Sequence, residues 1–99
     1  MKSLLLLEDD MTYRTVLSGI LEKTYIVYQA NTIAGAIQVL SMKNIDYICS
    51  DYHLPDGIGI QILEYLRNSN KVIPTIIMSA NMTNKMECEA RQFGAVDVI

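Results

Sequence analysis

The sequence predicts a doubly wound α/β fold, a parallel sheet of five strands with helices on both faces, and three observations predict it. Short apolar runs without polar alternation, such as Ser3 to Leu7, have the pattern of strands buried on both faces. Between these runs lie segments whose apolar residues recur at helical spacing. The two kinds alternate at intervals of roughly 20 to 25 residues, which makes each connection a βαβ unit and the sheet parallel. Right-handed crossovers then distribute the helices over both faces.

Each element has its own signature. After the first strand, Tyr13, Val16, Leu17, Ile20 and Leu21 mark the inner face of a helix over Thr12 to Lys23, with Asp10 as its solvent-facing cap. Tyr25 to Ala30 is rich in β-branched and aromatic residues and reads as the second strand. Asn31 or Thr32 caps a second helix, whose face is Ile33, Ala36, Ile37 and Leu40 and whose end is near Lys43-Asn44. The third strand is Asp46 to Ser50, followed by a loop containing Pro and Gly through Gly59. Ile62, Leu63 and Leu66 mark a third helix that frays at Asn68-Ser69-Asn70. Val72 to Met78 is the fourth strand, with Pro74 near its start, where a missing N–H is tolerated. A fourth helix covers Thr83 to Phe93, with Met82, Met86, Ala90 and Phe93 as its inner stripe and Gly94 as a left-handed stop. Val96 to Ile99 begins the fifth strand.

Ninety-nine residues suit one domain, and 51% apolar against 19% charged residues suits a packed core rather than a disordered chain. A net charge of −3 argues against a basic groove for nucleic acid or a polybasic membrane patch. The apolar run Leu4 to Leu7 is too short to span a bilayer, and acids follow it where a signal peptide would have a small-residue cleavage site. Cys49 and Cys88 have no metal-ligand spacing, and Cys49 within Tyr47-Ile48-Cys49 reads as a reduced, buried thiol. These features predict a cytoplasmic domain that binds neither nucleic acid nor membrane directly.

In open α/β sheets the working site lies beyond the carboxyl ends of the strands. Glu8, Asp9 and Asp10 follow the first strand, Asp51 the third and Ser79 the fourth. In the flavodoxin-like order 2-1-3-4-5 the first and third strands are neighbours, so Glu8 and Asp9 face Asp51 across a small gap. Acids after strands also serve simply to solvate loop tips. Clustered carboxylates repel unless a cation joins them or their pKa values shift, and hard oxygen donors around a hydrated gap suit Mg²⁺. A carboxylate beside such a metal, with a hydroxyl nearby, suggests phosphoryl transfer. Glycoside hydrolysis fits poorly, since the short loops offer no aromatic-walled cleft. A small metal-dependent phosphatase or transferase is a third, weaker reading.

Four segments in register resemble the receiver domains of bacterial response regulators. They are Leu4-Leu5-Leu6-Leu7-Glu8-Asp9, Asp51-Tyr52-His53-Leu54-Pro55-Asp56-Gly57-Ile58-Gly59, Pro74-Thr75-Ile76-Ile77-Met78-Ser79-Ala80 and Phe93-Gly94-Ala95-Val96-Asp97-Val98-Ile99. The resemblance implies that Asp51 accepts a phosphoryl group from a sensor histidine kinase or phosphotransfer protein. It implies that Glu8, Asp9, Asp51 and the main-chain carbonyl of His53 hold Mg²⁺. It implies that Ser79 reorients toward the phosphoryl group and signals to the face of the fourth helix and fifth strand, where an output domain or dimer partner would respond. The domain is then a switch that catalyses only its own phosphorylation and dephosphorylation.

The departures from that family qualify the expectation. The family's Lys-Pro pair after the fifth strand, and its fifth helix, have no counterpart before Ile99, so the chain is expected to be a C-terminally incomplete receiver with exposed apolar sheet beside its first helix. Val98 stands where an aromatic switch residue is common, and Ile58 where an Asp often caps the third helix. The missing lysine and Val98 favour an alternative, a pseudo-receiver acting as an interaction module without phosphorylation. His53 and Asn81 flank the acceptor and the hydroxyl, either tuning hydrolysis or serving as ordinary loop residues. Met82 and Met86 are either core or an adaptable partner surface.

Overall fold

The computed structural model describes residues 1–99. Its elements are β1 (Ser3–Leu7), α1 (Met11–Leu21), β2 (Ile26–Ala30), α2 (Ile33–Met42), β3 (Tyr47–Asp51), β4 (His53–Leu54), β5 (Gly57–Ile58), α3 (Ile60–Asn68), β6 (Thr75–Met78), α4 (Asn84–Gln92) and β7 (Asp97–Val98). The main sheet is parallel throughout, in the order β2-β1-β3-β6-β7. That is the expected 2-1-3-4-5 arrangement, because β4 and β5 form a separate antiparallel hairpin within the loop after β3. No helix is long and apolar enough to cross a membrane.

β1 lies at the heart of the sheet, and all five of its residues are buried. Alternate side chains feed opposite faces, as the strand period requires. Leu5 and Leu7 pack with Ile33, Ala36, Leu40, Ile62 and Leu66 of α2 and α3. Leu4 and Leu6 pack on the other face with Met78, Leu17 and Leu21. A third cluster, built from Tyr52, Ile60, Leu63, Ile77, Ala90 and Ala95, holds α4 to the β6–β7 side. Met82 and Met86 pack against it as partly buried core residues.

Three expectations need correction. The inner face predicted for α1 is only half used: Leu17 and Leu21 meet the core, whereas Tyr13, Val16 and Ile20 are exposed. Helical periodicity identifies an apolar stripe without saying how much of its width is covered. The fourth strand starts at Thr75 rather than Val72; Pro74 has no N–H to donate, though its carbonyl accepts from the Ile48 amide at 3.0 Å, and Val72 is 97% exposed. The third strand runs one residue further than expected, so Asp51 ends β3 instead of following it.

Helix termini account for much of the local order. Asp10, Thr32 and Thr83 each accept a bond from a backbone N–H in the first turn of α1, α2 and α4. α3 begins at Gly59 with no side-chain cap, and Gln61 reaches back instead, accepting from the Ile58 amide at 2.9 Å. Gly94, at φ 107°, terminates α4 in the left-handed region.

A second cap on α2 comes from a distant loop. Asp56 accepts from the Ile33 and Ala34 amides at 2.8 and 3.0 Å, and these bonds hold its carboxyl below the usual carboxylate range. Two N–H groups at the positive end of a helix therefore bind the tip of the β4–β5 hairpin. Asp56→Ala is expected to lower the melting temperature and to speed proteolysis within residues 53–58, while the rest of the fold is retained. A depressed carboxylate pKa gives stability present above the unfolded value and lost as pH falls through the folded one. The wild-type advantage over Asp56→Ala should accordingly shrink in acid.

Candidate functional site

The sheet register places the acids. Leu7 pairs with Ser50 and Asp51 with Met78, so Glu8, Asp51 and Ser79 emerge side by side at the carboxyl edge of three adjacent strands. They line an open cavity of about 610 Å³ with Asp9, Asp10, Tyr13, Met78, Ala80 and Ile99. Carboxylate oxygens of Glu8, Asp9 and Asp51 all lie within 4.8 Å of one another.

Each acid is held by its own backbone surroundings. Glu8 is 6% exposed, and its Oε2 accepts from the Asp10 amide at 3.1 Å. Arg14 donates to the Glu8 carbonyl at 2.7 Å, fixing the turn between β1 and α1 without reaching the carboxylates as a counter-ion. Asp51 is half-buried, and its Oδ1 accepts from the Tyr52 amide at 2.8 Å. Ser79 receives a bond at its Oγ from the Asn81 amide at 3.3 Å, and its own amide donates to the Ile99 carbonyl at 2.9 Å.

Burial is the main cause that pushes the Glu8 carboxyl up to about 7; the neighbouring Asp51 and Asp9 charges add to it, against the opposing bond from Asp10. Burial also raises the Asp51 carboxyl, aided by Asp9 and opposed by the Tyr52 amide. None of the nine lining residues is a cation. Three hard oxygen donors, crowded and partly desolvated without a positive partner, fit a divalent metal such as Mg²⁺.

Gly59 sets how closely α3 approaches the acceptor. A Cβ there would stand 2.5 Å from the Asp51 carbonyl oxygen and 3.0 Å from Ser50 Oγ. The first contact is with backbone, which cannot swing away. Gly59→Ala is therefore expected to destabilise the domain by about 2 kcal/mol, as overpacking of a fixed site does. It should also displace Asp51, which urea titration and comparison of Mg²⁺ affinity with wild type would measure.

The expected site residues Glu8, Asp9, Asp51 and Ser79 thus meet in one cavity. The His53 side chain stands outside its lining, exposed, with its ring edge-on to Tyr52 at 4.9 Å between centroids. Tyr13 and Ile99 line the cavity although sequence patterns point to neither as a site residue. Tyr13 could have been found from its place in the first turn of α1, three residues after the Asp10 cap. Cys49 is a free, half-buried thiol 3.3 Å from the Met78 sulfur, and burial raises its pKa to about 11, so it is a poor nucleophile.

Comparison with known proteins agrees with this geometry. The chain is 29% identical over 97 residues to the transcriptional regulatory protein ZraR of Klebsiella oxytoca, covering 97% of this chain and 22% of that protein. It is 31% identical over 100 residues to the KDP operon transcriptional regulatory protein KdpE of Escherichia coli, covering 100% of this chain and 44% of that protein. The chain therefore spans less than half the length of these relatives. A response regulator crystal structure from Burkholderia pseudomallei, with a phosphorylated aspartic acid, calcium and citrate, superimposes with a TM-score of 0.88 at 19% identity, over 99% of this chain and 58% of that one. The family model for the response regulator receiver domain matches residues 4–99, and the chain belongs to that family.

Proposed function

We propose that Asp51 is the phospho-acceptor of a two-component switch, and that the crowding of Glu8, Asp9 and Asp51 within 4.8 Å is the observation that carries this reading. Receiver domains are signalling domains rather than classical enzymes. The donor is a phosphohistidine on a sensor kinase or phosphotransfer protein. An Asp51 carboxylate oxygen attacks phosphorus, the phosphorus–nitrogen bond breaks, the imidazole leaves with its electron pair, and an acyl phosphate remains on Asp51. Glu8, Asp9, Asp51 and the His53 main-chain carbonyl would hold Mg²⁺, which supplies neutralisation of the charge on the transferring phosphoryl oxygens. Ser79, at the same edge, would donate its hydroxyl to a phosphoryl oxygen once the group is in place. A downstream output domain or a dimer partner would read the result. The phosphorylated aspartate and metal in the Burkholderia pseudomallei relative support the reading by likeness.

Val98, an aliphatic residue where the family commonly has an aromatic switch residue, favours one alternative, a pseudo-receiver that binds partners without being phosphorylated. Incubation with acetyl phosphate, with Mg²⁺ or with EDTA, separates the two. A single phosphoryl adduct in intact mass that requires Mg²⁺ is expected. A folded protein that takes no adduct at saturating acetyl phosphate and Mg²⁺ belongs to the alternative.

A further inference from the structure

Tyr52 follows the acceptor directly, and it is the residue that ties the acceptor to α4. Its amide is shared between Asp51 Oδ1 at 2.8 Å and the Met78 carbonyl at 2.7 Å. Its ring is buried between α3, β6 and α4, among Ile60, Leu63, Ile77, Ala90 and Ala95. Its phenol donates to Glu89 Oε1 on α4 at 2.8 Å, and burial together with Glu89 raises the phenol pKa. Apart from this bond, the side-chain hydrogen bonds of α4 run only within the helix, to its Thr83 cap or to Asp97. α4 fully buries a single residue, Ala90, and Met86 packs only partly against the same cluster, so its apolar anchor is small. Val98, packed against the same cluster, is too short to make such a link itself.

We infer that Tyr52 is a positioning residue that transmits the state of Asp51 to α4 through its hydrogen bond to Glu89. The inference rests on the proposed role of Asp51 and deepens it. Converting the Asp51 carboxylate to an acyl phosphate weakens it as an acceptor, so the Tyr52 amide loses one of its two partners and turns toward Met78. A tyrosine has two rotatable side-chain bonds and here a packed ring, so a backbone movement of Tyr52 reaches its hydroxyl instead of being absorbed along the way. The phenol–Glu89 bond is charge-assisted, and such a bond shifts a local opening equilibrium roughly tenfold or more. A helix with a small buried anchor, tied to the acceptor's own segment by this one bond, is a two-state element that the site can bias.

Hydrogen exchange over residues 84–92 reads the state of α4, and intact mass on the same samples reads the adduct. In the wild type, acetyl phosphate with Mg²⁺ should change exchange over residues 84–92 about threefold or more, within the range one such bond controls. Tyr52→Phe keeps the ring and the amide but lacks the hydroxyl; it should take the adduct as the wild type does and lose the exchange response. Glu89→Leu should do the same from the other partner, which keeps the test available if Tyr52→Phe folds poorly. Glu89→Gln keeps an acceptor oxygen without the charge and should show a response between those of the wild type and Glu89→Leu. Equal adduct and an equal exchange response in wild type, Tyr52→Phe and Glu89→Leu would overturn the coupling alone. Loss of the adduct in Tyr52→Phe would overturn it too, by making the phenol part of acceptor chemistry. No adduct on wild type would overturn the functional reading, and the coupling with it.

Discussion

Asp51→Asn abolishes phosphoryl uptake and at the same time raises the melting temperature of the metal-free domain. The loss of uptake follows because an amide oxygen is a far weaker nucleophile than a carboxylate, and no other acid in the cavity ends a strand between two neighbouring strands. The gain in stability follows from burial and the nearby Asp9 charge, which make an ionised Asp51 unfavourable in the fold. Asparagine keeps an oxygen for the Tyr52 amide and removes the charge. In a domain of this size each 1 kcal/mol moves the melting temperature by about 4–8 °C. An increase of a few degrees in EDTA is therefore expected by differential scanning calorimetry, and it should vanish or reverse in saturating Mg²⁺, where wild type gains binding energy that the variant lacks.

Glu8→Gln has the second large effect, and that effect depends on pH. The Glu8 carboxyl titrates at about 7 in the fold against an ordinary value of 4.5. A pKa raised on folding gives stability that is complete below the unfolded value and is lost as pH rises through the folded one. Metal-free wild type should therefore lose stability between pH 4.5 and 7 and level off above. At about 1.4 kcal/mol per unit, reduced because water reaches the open cavity, the penalty is about 2 kcal/mol. Glutamine cannot ionise, so the variant should lack this slope and be the more stable protein at pH 8 in EDTA. With metal the order inverts. Mg²⁺ needs the ionised carboxylate, so wild-type affinity should rise with pH up to about 7 and then flatten, with proton release on binding below that pH. The variant should bind Mg²⁺ weakly at every pH, which titration calorimetry in buffers of different ionisation enthalpy would resolve.

The strand order and the acidic edge were legible in the sequence because each leaves a local mark. A central parallel strand excludes polar residues, and Leu4 to Leu7 does so completely. Acids at the carboxyl ends of two strands meet whenever those strands are neighbours, and the topology rules make β1 and β3 neighbours. What stayed hidden leaves no local mark. The two-residue strands β4 and β5 are too short to show alternation. Asp56 caps a helix 23 positions away, and Tyr52 meets Glu89 across 37 positions, so both bonds exist only once the sheet has formed. Tyr13, Val16 and Ile20 carry the helical period as clearly as Leu17 and Leu21, yet only the latter two pack into the core. Periodicity fixes which side of a helix is apolar, and the neighbouring elements fix how much of it is covered.

The central claim is the identity of the acceptor, and chemical trapping tests it most directly. Borohydride reduces an acyl phosphate to an alcohol, which turns a phosphorylated aspartate into homoserine at the same position. After reaction of the full chain with acetyl phosphate and Mg²⁺, reduction and peptide sequencing by mass spectrometry should find homoserine at position 51 and nowhere else. The reduced product of Glu8, Asp9 or Asp10 in place of it, or no reduced residue in a protein that carries the adduct, would contradict the assignment of Asp51.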